Sequence, residues 1–470
     1  MNTITHLFDD EYTQNLIKAF EYKAKEYSNH TIPNNISNYS DIIEHTAELV
    51  SKLAIESLLY YFKLIDDNFK HSETRKRSYY IKGYRDRTII TPFGELTFTR
   101  TIYELKTPNQ NNKKTCLTYL DRHLGLPRYD RYDPTVKAMI FEQFSTQNSM
   151  TKVGRIIGDR IYSSFTKKES RKYHEIPRQT IQNIVSKSNV YKPSLKEVDY
   201  DVDTIFIMAD EKFVATQGNG RNKVMVKSCV VFDGLRNTAS KGTEYTGKYS
   251  YSNFESTEDF WMEVYDIVSQ RYDLEKQPTI YIMGDGARWI KNGTQFFKNS
   301  SFALDRFHFS QAINHITKDS DYKKLIYNYI LNDRKKDYKT IIEHLINNID
   351  SSREEIIREK SKYLLNHWNA IHTMYKEVMI GCGMEGAISH NIASIFSNIP
   401  KGYNEDNLET YLNIRHLHLN NYDLREVYLN IYDKEEKIVT DLKPLNYSMF
   451  EPRQAEDGIS TIRYIKGFFN

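Results

Sequence analysis

The sequence predicts a mixed α/β fold with helical regions before and within the sheet-forming part. Between residues 200 and 305, short apolar strand segments alternate with amphipathic helical segments, which is typical of a sheet with helices packed on it. Residues 1–70 and 306–380 show helical spacing of apolar side chains and no strand signal. Hydrophobic residues make up only 39% of the 470, but 36 Tyr and 23 Phe supply enough apolar surface for a folded core.

Composition also excludes several classes of protein. No run approaches 18 apolar residues, so no membrane span is expected. The N-terminus, MNTITHLFDDEY, lacks the basic and apolar regions of a secretory signal. The cysteines Cys116, Cys229 and Cys382 are far apart and without CxxC spacing, which argues against a disulfide framework and a cysteine zinc finger. We therefore expect a soluble, reduced, cytoplasmic protein.

Residues 1–70 are predicted to be a helical N-terminal region. A long periodic stretch runs from Ile42 to Phe69. A shorter stretch before it has apolar residues at helical spacing, at Leu7, Tyr12, Leu16 and Phe20.

Residues 71–190 form a basic region with a predicted β-hairpin. The hairpin covers residues 87–103, in which strand-type residues flank the turn residues 92–94. Residues 70–187 contain 24 Lys and Arg against 11 Asp and Glu, a balance of +13 that leaves −10 for the rest of a chain of net charge +3. A basic block beside an acidic remainder is the charge pattern of a polyanion-binding module, with an incidentally basic, solvated surface as the alternative.

The end of this region has the pattern of a helix-turn-helix. Helices are predicted at residues 133–145, 150–162 and 176–187, and the first has Pro at its first helical position after an Asp cap. In a helix-turn-helix the first turn of the last helix faces base edges, which makes Arg178 and Gln179 candidates for reading DNA sequence. Plain packing of short helices is the alternative.

The other candidate DNA contacts are basic side chains interleaved with tyrosines before and within the hairpin. They are Arg75, Lys76, Arg77, Arg85 and Arg87, accompanied by Lys82, Tyr79, Tyr80 and Tyr84. Basic side chains bind phosphates without reading sequence. Lys167 and Lys168 are further predicted phosphate contacts, and we expect them to affect sequence preference less than Arg178 and Gln179.

The predicted core has its elements in the order β-β-β-α-β-α-β, which is the ribonuclease-H-like pattern of a mixed sheet with helices on its faces. Its strands are Thr204–Ala209, Lys223–Phe232, Thr243–Tyr249, Thr279–Met283 and Phe302–Leu304, with a helix at Thr257–Tyr272. Residues 200–305 are then the first part of the core and 381–420 the second. Residues 306–380 are an all-α insertion between them, and 421–470 are a C-terminal tail without a motif.

Two aspartates stand at the carboxyl ends of predicted strands, where α/β sheets place their reactive groups. Asp210 follows TIFIMA and Asp285 follows TIYIMG. Two carboxylates at one edge repel each other unless a cation neutralises them, and oxygen-only ligands suit Mg²⁺ or Mn²⁺. Each Asp taken alone is better explained as a turn former or helix cap, whereas the two together with the sheet order and the basic block favour a catalytic site.

A third carboxylate is expected to complete such a site. Glu385, which opens a helix after the glycine break in GCGMEGAISH, is the best candidate, although a Glu there also complements the helix dipole. Asp305 ends another strand and competes as a ligand, and His308 is a candidate auxiliary contact to metal or DNA. No GxxxxGK[ST] and no GxSxG occurs, so neither P-loop ATP hydrolysis nor serine-hydrolase chemistry is supported.

These residues match a family pattern. The strings ADEKFVATQ, IYIMGDGARWIKNGTQFF, FALDRFHFSQAI and GCGMEGAISHNIASIFS resemble the ISLre-type insertion-sequence transposases and, more distantly, Mutator-like transposases. FGELTFTRTIYEL and LDRHLGLPRYDRYDPTVKAMI extend the resemblance over about residues 70–420. The resemblance implies a bacterial DDE-type transposase with Asp210, Asp285 and Glu385 as the catalytic, metal-binding acids. Spacings of 75 and 100 residues between successive acids agree with an insertion between the second and the third.

On this reading two Mg²⁺ or Mn²⁺ ions bind per active site. The partners are DNA, namely the element's terminal inverted repeats and target DNA, together with further copies of the chain, in a nucleoid-associated setting. Two other functions remain open: a ribonuclease-H-like nuclease or resolvase without strand transfer, and a non-catalytic DNA-binding protein derived from a transposase. Three retained acids argue against the last of these.

Overall fold

The structure, a computed structural model, describes most of the chain from residue 39 to residue 439. The described residues are 18, 21, 22, 25, 39–106, 116–127, 129–147, 149–162, 175–187, 194–195, 197–198, 200–217, 222–238, 242–348, 351–378, 380–381, 383–396 and 402–439. They divide into two compact units: Met1–Lys137 with Ile156–Glu175 and Leu429–Asn470, and Ala138–Arg155 with Ile176–Tyr428. The residues on which the first predicted helix depends, Leu7, Tyr12, Leu16 and Phe20, lie outside the described residues, as do Lys167 and Lys168.

The first unit contains a long helix packed on a three-stranded antiparallel sheet of order β1-β2-β3. Its elements are α1 (Tyr39–His71), α2 (Glu73–Ser78), β1 (Tyr79–Thr91), β2 (Gly94–Leu105), β3 (Cys116–Thr118) and α3 (Tyr119–His123). The predicted helix at 42–69 and the predicted hairpin are both confirmed. Gly94 has φ +121° at the hairpin turn, where Thr91 Oγ1 donates to its carbonyl oxygen at 3.0 Å.

Three helices have residues assigned to both units: α4 (Pro134–Gln147), α5 (Met150–Tyr162) and α17 (Leu424–Val439). The first two confirm the predicted helices, and Asp133 Oδ1 caps α4 by accepting the Val136 amide at 2.8 Å. The third predicted helix is α6 (Arg178–Val185), which lies in the second unit. No helix among the described residues has both the length and the apolar character needed to cross a membrane.

A mixed five-stranded sheet of order β10-β9-β4-β5-β8 is the centre of the second unit. Its strands are β4 (Thr204–Thr216), β5 (Asn222–Phe232), β8 (Tyr249–Asn253), β9 (Thr279–Gly284) and β10 (Ser300–Leu304), beside a separate hairpin of β6 (Gly234–Thr238) and β7 (Gly242–Thr246). β9 is parallel to both β4 and β10, whereas β5 is antiparallel to both β4 and β8. A mixed α/β fold is therefore confirmed.

Two strand predictions were wrong in their bounds. β4 does not end at Ala209, because its antiparallel pairing with β5 continues to Thr216. The single strand predicted at 243–249 is two strands, β7 and β8, which belong to different sheets. They are separated at Gly247, whose φ of +57° turns the chain between them.

Helices α7 (Thr257–Arg271) and α8 (Arg288–Lys291) pack on one face of this sheet. The predicted amphipathic face of α7 is buried, and Trp261 on that face is fully inaccessible. It packs with Ile205, Ile207 and Ile282 of the strands. Short 3₁₀ turns at Leu274–Lys276 and Asn292–Gln295 complete the connections.

The described residues between 306 and 380 form helices joined by short turns, and none of them lies in a strand. The helices are α9 (Arg306–Ile316), α10 (Ser320–Leu331), α11 (Lys335–Asn347), α12 (Ser351–Asn366) and α13 (Trp368–His372), followed by a π-helical turn at Thr373–Val378. They have their own core, in which Leu364 and Trp368 pack with Phe309 of α9 and Leu304 of β10.

Further helices lie among the described residues between Met384 and Phe396 and between Glu405 and Val439. They comprise α14 (Met384–Ile388), a π-helical turn at Ser389–Ala393, α15 (Ser394–Phe396), α16 (Glu405–Leu419) and α17. The described part of the expected motif-free tail thus includes a regular helix, whose Leu424, Val427 and Tyr428 are buried.

Candidate active site

Asp210 lies where β4 loses its parallel neighbour. The parallel pairing of β4 with β9 ends at Met208 and Met283, two residues before Asp210. Asp210 therefore lies within β4 yet level with the carboxyl end of β9. Its half-buried side chain accepts a hydrogen bond at Oδ1 from the Glu211 amide at 2.7 Å.

Asp285 follows β9 directly and lies beside the same part of β4. Gly284 fixes this approach, because a Cβ on it would lie 2.8 Å from the Ala209 carbonyl oxygen and 2.7 Å from Ile290 Cδ1. The side chain of Asp285 accepts the Ala287 amide at 2.8 Å, which closes a tight turn after the strand. The structure thus brings together the two aspartates that the sequence singled out.

The two carboxylates interact electrostatically. Burial, together with the negative charges of Glu211 and Asp285, raises the pKa of Asp210 to about 6, although the hydrogen bond from the Glu211 amide and the charge of His308 act in the opposite direction. Neither Asp210 nor Asp285 forms an ion pair with any described residue. Two crowded carboxylates without an ion-pair partner among the described residues favour binding of a cation.

Asp305 and His308 form a pair at the next strand end. Asp305 follows β10, caps α9 by accepting the Phe307 amide at 3.0 Å, and contacts His308 Nδ1 through Oδ2 at 3.0 Å. That hydrogen bond raises the pKa of His308, and the charges of Asp285 and Asp210 raise it further. Asp305 therefore has a structural role, because it caps α9 and holds His308. His308 interacts electrostatically with Asp210 and Asp285.

Glu385 lies on α14, which packs against β4 and β5. Two residues before it, the Gly383 amide donates to Met208 Sδ at 3.2 Å, and Met208 itself lies two residues before Asp210. The backbone thus brings the start of this helix to the strand of Asp210. The side chain of Glu385 lies outside the described part of the structure, so its contacts with the aspartates stay a prediction.

Glu211 and Trp289 are site residues that sequence reasoning missed. Trp289 Nε1 donates to Glu211 Oε2 at 2.7 Å, and burial raises the pKa of Glu211. Both residues stand in the strings used for the family resemblance, one after Asp210 and one after the GDGA turn. Their pairing joins β4 to α8 immediately beside the two aspartates.

The donor chemistry at this edge fits a hard divalent cation. Asp210 and Asp285 offer carboxylate oxygens, which Mg²⁺ and Mn²⁺ prefer. Among the side chains that the structure describes, no three His, Cys, Asp or Glu form a complete metal site. A third ligand would come from Glu385.

The predicted DNA contacts of the first unit differ in exposure. Lys76, Arg77 and Arg85 are exposed, and Arg75 is half-buried with Nε donating to the Lys70 carbonyl oxygen at 2.6 Å. Arg87 is buried: its guanidinium donates to the carbonyl oxygens of Pro127 at 2.8 Å and Asp130 at 2.9 Å and pairs with Asp121 at 3.1 Å. Because the fold already uses Arg87, we leave it out of the proposed DNA contacts.

In the second unit, Arg178 and Gln179 lie exposed in the first turn of α6. Gln179 Nε2 donates to Asn183 Oδ1 at 2.9 Å along the same helix. Ile181, Ile184 and Val185 of α6 are buried, so the helix turns its polar first residues outward.

The family model of the uncharacterised protein family UPF0236 matches residues 33–433. Similar proteins occur in Caldanaerobacter subterraneus subsp. tengcongensis. UPF0236 protein TTE0402 is 28% identical over 428 residues, which are 90% of this chain and 82% of that protein. A second relative, whose name joins eleven locus designations from TTE0033 to TTE2212, is 27% identical over 430 residues, 90% of this chain and 86% of that protein. With most of its length matched, the chain belongs to the uncharacterised protein family UPF0236.

Proposed function

We propose that the protein is a DDE-type transposase that cleaves the ends of its own DNA element and joins them to target DNA. The observation that carries this function is the meeting of Asp210 and Asp285 at one sheet edge, beside the helix that bears Glu385. The order of the sheet's elements along the chain, three strands, helix, strand, helix and strand, supports the ribonuclease-H-like core expected from the sequence.

Asp210, Asp285 and Glu385 would hold two Mg²⁺ or Mn²⁺ ions. The two described carboxylates have no ion-pair partner among the described residues. Burial and the neighbouring charges of Glu211 and Asp285 raise the pKa of Asp210, so a bound cation would relieve the repulsion. When bound, such ions activate water and stabilise the leaving oxygen of a phosphodiester.

The reaction has two steps at the same phosphate-binding edge. In cleavage, water adds to phosphorus at the element end and the bond to the 3′ oxygen breaks, which leaves a 3′-hydroxyl. In joining, that hydroxyl attacks a phosphodiester of target DNA and displaces the target's own 3′ oxygen. Each step exchanges one oxygen on phosphorus for another, so neither ATP nor a covalent protein–DNA intermediate is needed.

Exposed basic residues supply the proposed DNA contacts. Arg77 and Arg85 form no ion pair with a described residue, and nearby lysines lie over exposed tyrosine rings, Lys70 over Tyr84 at 4.9 Å. Each phosphate contact releases condensed counterions, so the slope of log affinity against log salt should fall by about 0.9 for each arginine replaced by Ala. Lys276→Ala, at an exposed lysine paired with an acid, is the control and should leave the slope unchanged.

The relatives' names also support a mobile gene. One of them joins eleven locus designations and another joins four, all in one organism. A gene that its own product moves or copies comes to occupy many chromosomal positions, whereas a housekeeping nuclease gene has no such means of spreading.

Transposition in cells tests the proposal. A resistance marker is bordered by the DNA that flanks this gene, and the protein is supplied from a second plasmid. We expect the marker to appear at new sites bordered by short target duplications, and to do so only with an intact Asp285. Cleavage of the flanks without insertion would instead identify a nuclease or resolvase, and binding without cleavage a non-catalytic DNA-binding protein.

A further inference from the structure

We propose that Tyr363 is a positioning residue that sets the location of Asp285 from helix α12. The Tyr363 hydroxyl donates a 2.6 Å hydrogen bond to the main-chain carbonyl oxygen of Asp285, 78 residues earlier in the chain. The helical stretch 306–380 therefore contacts the candidate active site directly, in addition to separating two parts of the predicted core along the chain. This role rests on the proposed function, in which Asp285 is a metal-binding acid.

The direction of this hydrogen bond is fixed by chemistry. A carbonyl oxygen only accepts, so the tyrosine must keep its proton. Burial raises the pKa of Tyr363 above its ordinary value, and the negative charges of Asp285 and Asp305 raise it further. The 2.6 Å contact with a carbonyl oxygen makes the Tyr363 hydroxyl the donor.

His367 makes a second contact with the same turn. Its Nδ1 lies 2.8 Å from the Tyr363 carbonyl oxygen and its Nε2 lies 3.4 Å from the Gly286 carbonyl oxygen, so the ring lies between helix α12 and the turn. Gly286, which follows Asp285, has φ +92°, and a Cβ built on it would lie 2.4 Å from His367 Nε2. The turn after β9 therefore packs directly on the imidazole ring, and only glycine fits there.

Helix α12 is itself held firmly. The buried Tyr338 hydroxyl of α11 donates to Ser361 Oγ at 3.0 Å, and Leu364 and Trp368 pack in the helical core with Leu304 of β10. Packing in the helical core thus holds α12 in place, and α12 in turn holds the turn that follows β9. The Ala287 amide orients the Asp285 carboxylate, while Tyr363 holds the peptide that carries it.

The test compares Tyr363→Phe with Tyr338→Phe in the full-length chain. Each variant removes one tyrosine hydroxyl that bonds to or from α12, but only the first loses a contact with Asp285. Three quantities are measured: amide hydrogen exchange of peptides covering 284–287, Mn²⁺ affinity by electron paramagnetic resonance, and kcat for end cleavage with KM for DNA. A lost hydrogen bond in this range corresponds to a change of about three- to tenfold.

For Tyr363→Phe we expect faster exchange at 284–287, about three- to tenfold weaker Mn²⁺ binding and a similarly lower kcat, with KM for DNA unchanged. Tyr338→Phe should leave exchange at 284–287 and Mn²⁺ affinity at wild-type values. Equal exchange and equal Mn²⁺ affinity in the two variants would overturn the positioning role while leaving the transposase proposal intact. A wild-type protein that neither binds Mn²⁺ nor cleaves DNA would refute the proposed function, and with it any catalytic purpose for the positioning.

Discussion

Replacing Asp210 with Asn should stabilise the metal-free protein while it destroys the proposed site. Asp210 is half-buried among negative charges, and its pKa is raised from 3.8 to about 6. A carboxyl whose folded pKa is above its unfolded value costs stability above pH 6, and that cost disappears as pH falls below about 4. Asn has nearly the same shape and no charge, so it removes the cost.

The size of the effect follows from the pKa shift. A rise of about two units corresponds to about 3 kcal/mol at pH 7.5. Because Asp210 remains partly exposed to solvent, which screens the repulsion, we expect a gain of about 1–2 kcal/mol. The measurement is urea unfolding in EDTA at pH 7.5 and at pH 4, with Asp203→Asn, an exposed acid just before β4, as the control.

Adding Mg²⁺ should reverse the order of stability. A cation bound by Asp210 stabilises the folded wild type by mass action and has less affinity for the Asn variant. An Asp210→Asn variant that is no more stable than wild type in EDTA would show that the charge of Asp210 does not destabilise the metal-free protein. Equal stabilisation of both proteins by Mg²⁺ would show that Asp210 does not bind the cation.

Three further outcomes are expected. Trp289→Phe removes the 2.7 Å donor to half-buried Glu211 and should cost about 1–3 kcal/mol in urea unfolding, whereas a loss under 0.5 kcal/mol would show that this bond is dispensable. Gly286→Ala places a Cβ 2.4 Å from His367 Nε2 at φ +92°, so its melting temperature should fall, and an unchanged melting temperature would contradict the tight turn. Burial lowers the pKa of His416 to about 3. The stability that the neutral imidazole contributes is therefore complete above pH 6.5 and decreases as pH falls toward 3. At pH 5 the free energy of unfolding of wild type should be lower by about 2 kcal/mol from this cause, and His416→Leu should not show this decrease. If the unfolding free energies of the two proteins changed with pH in parallel, His416 would be excluded as the cause.

Local signals allowed much of the fold to be predicted. The start of α4 is encoded by Asp133 and the proline after it, and the hairpin turn by the glycine at position 94. The full length of β4 was not predictable, because residues beyond Asp210 are held by pairing with β5 rather than by an apolar run of their own. Similarly, nothing local separates β7 from β8 except Gly247.

In the candidate site, too, some features have local sequence signals and others depend on contacts between distant residues. Asp210 and Asp285 were predictable because each follows an apolar strand segment, and parallel strands bring such positions to one edge. The contacts of Trp289 with Glu211 and of Tyr363 with Asp285 each span 78 residues, so no spacing in the sequence indicates them. Arg87 was misleading for a different reason: a basic residue in a basic segment looks available for DNA, and only the fold reveals the carbonyl oxygens that it satisfies.

Single-turnover cleavage of DNA carrying this gene's own flanks tests the central claim most directly. Wild type, Asp285→Asn and Glu385→Gln are compared at saturating protein in Mg²⁺ and in Mn²⁺, with DNA binding measured in parallel. If the three acids form one metal-dependent site, both variants bind the DNA as tightly as wild type but cleave it at least about a thousandfold more slowly. Cleavage by either variant within about tenfold of the wild-type rate would contradict the claim.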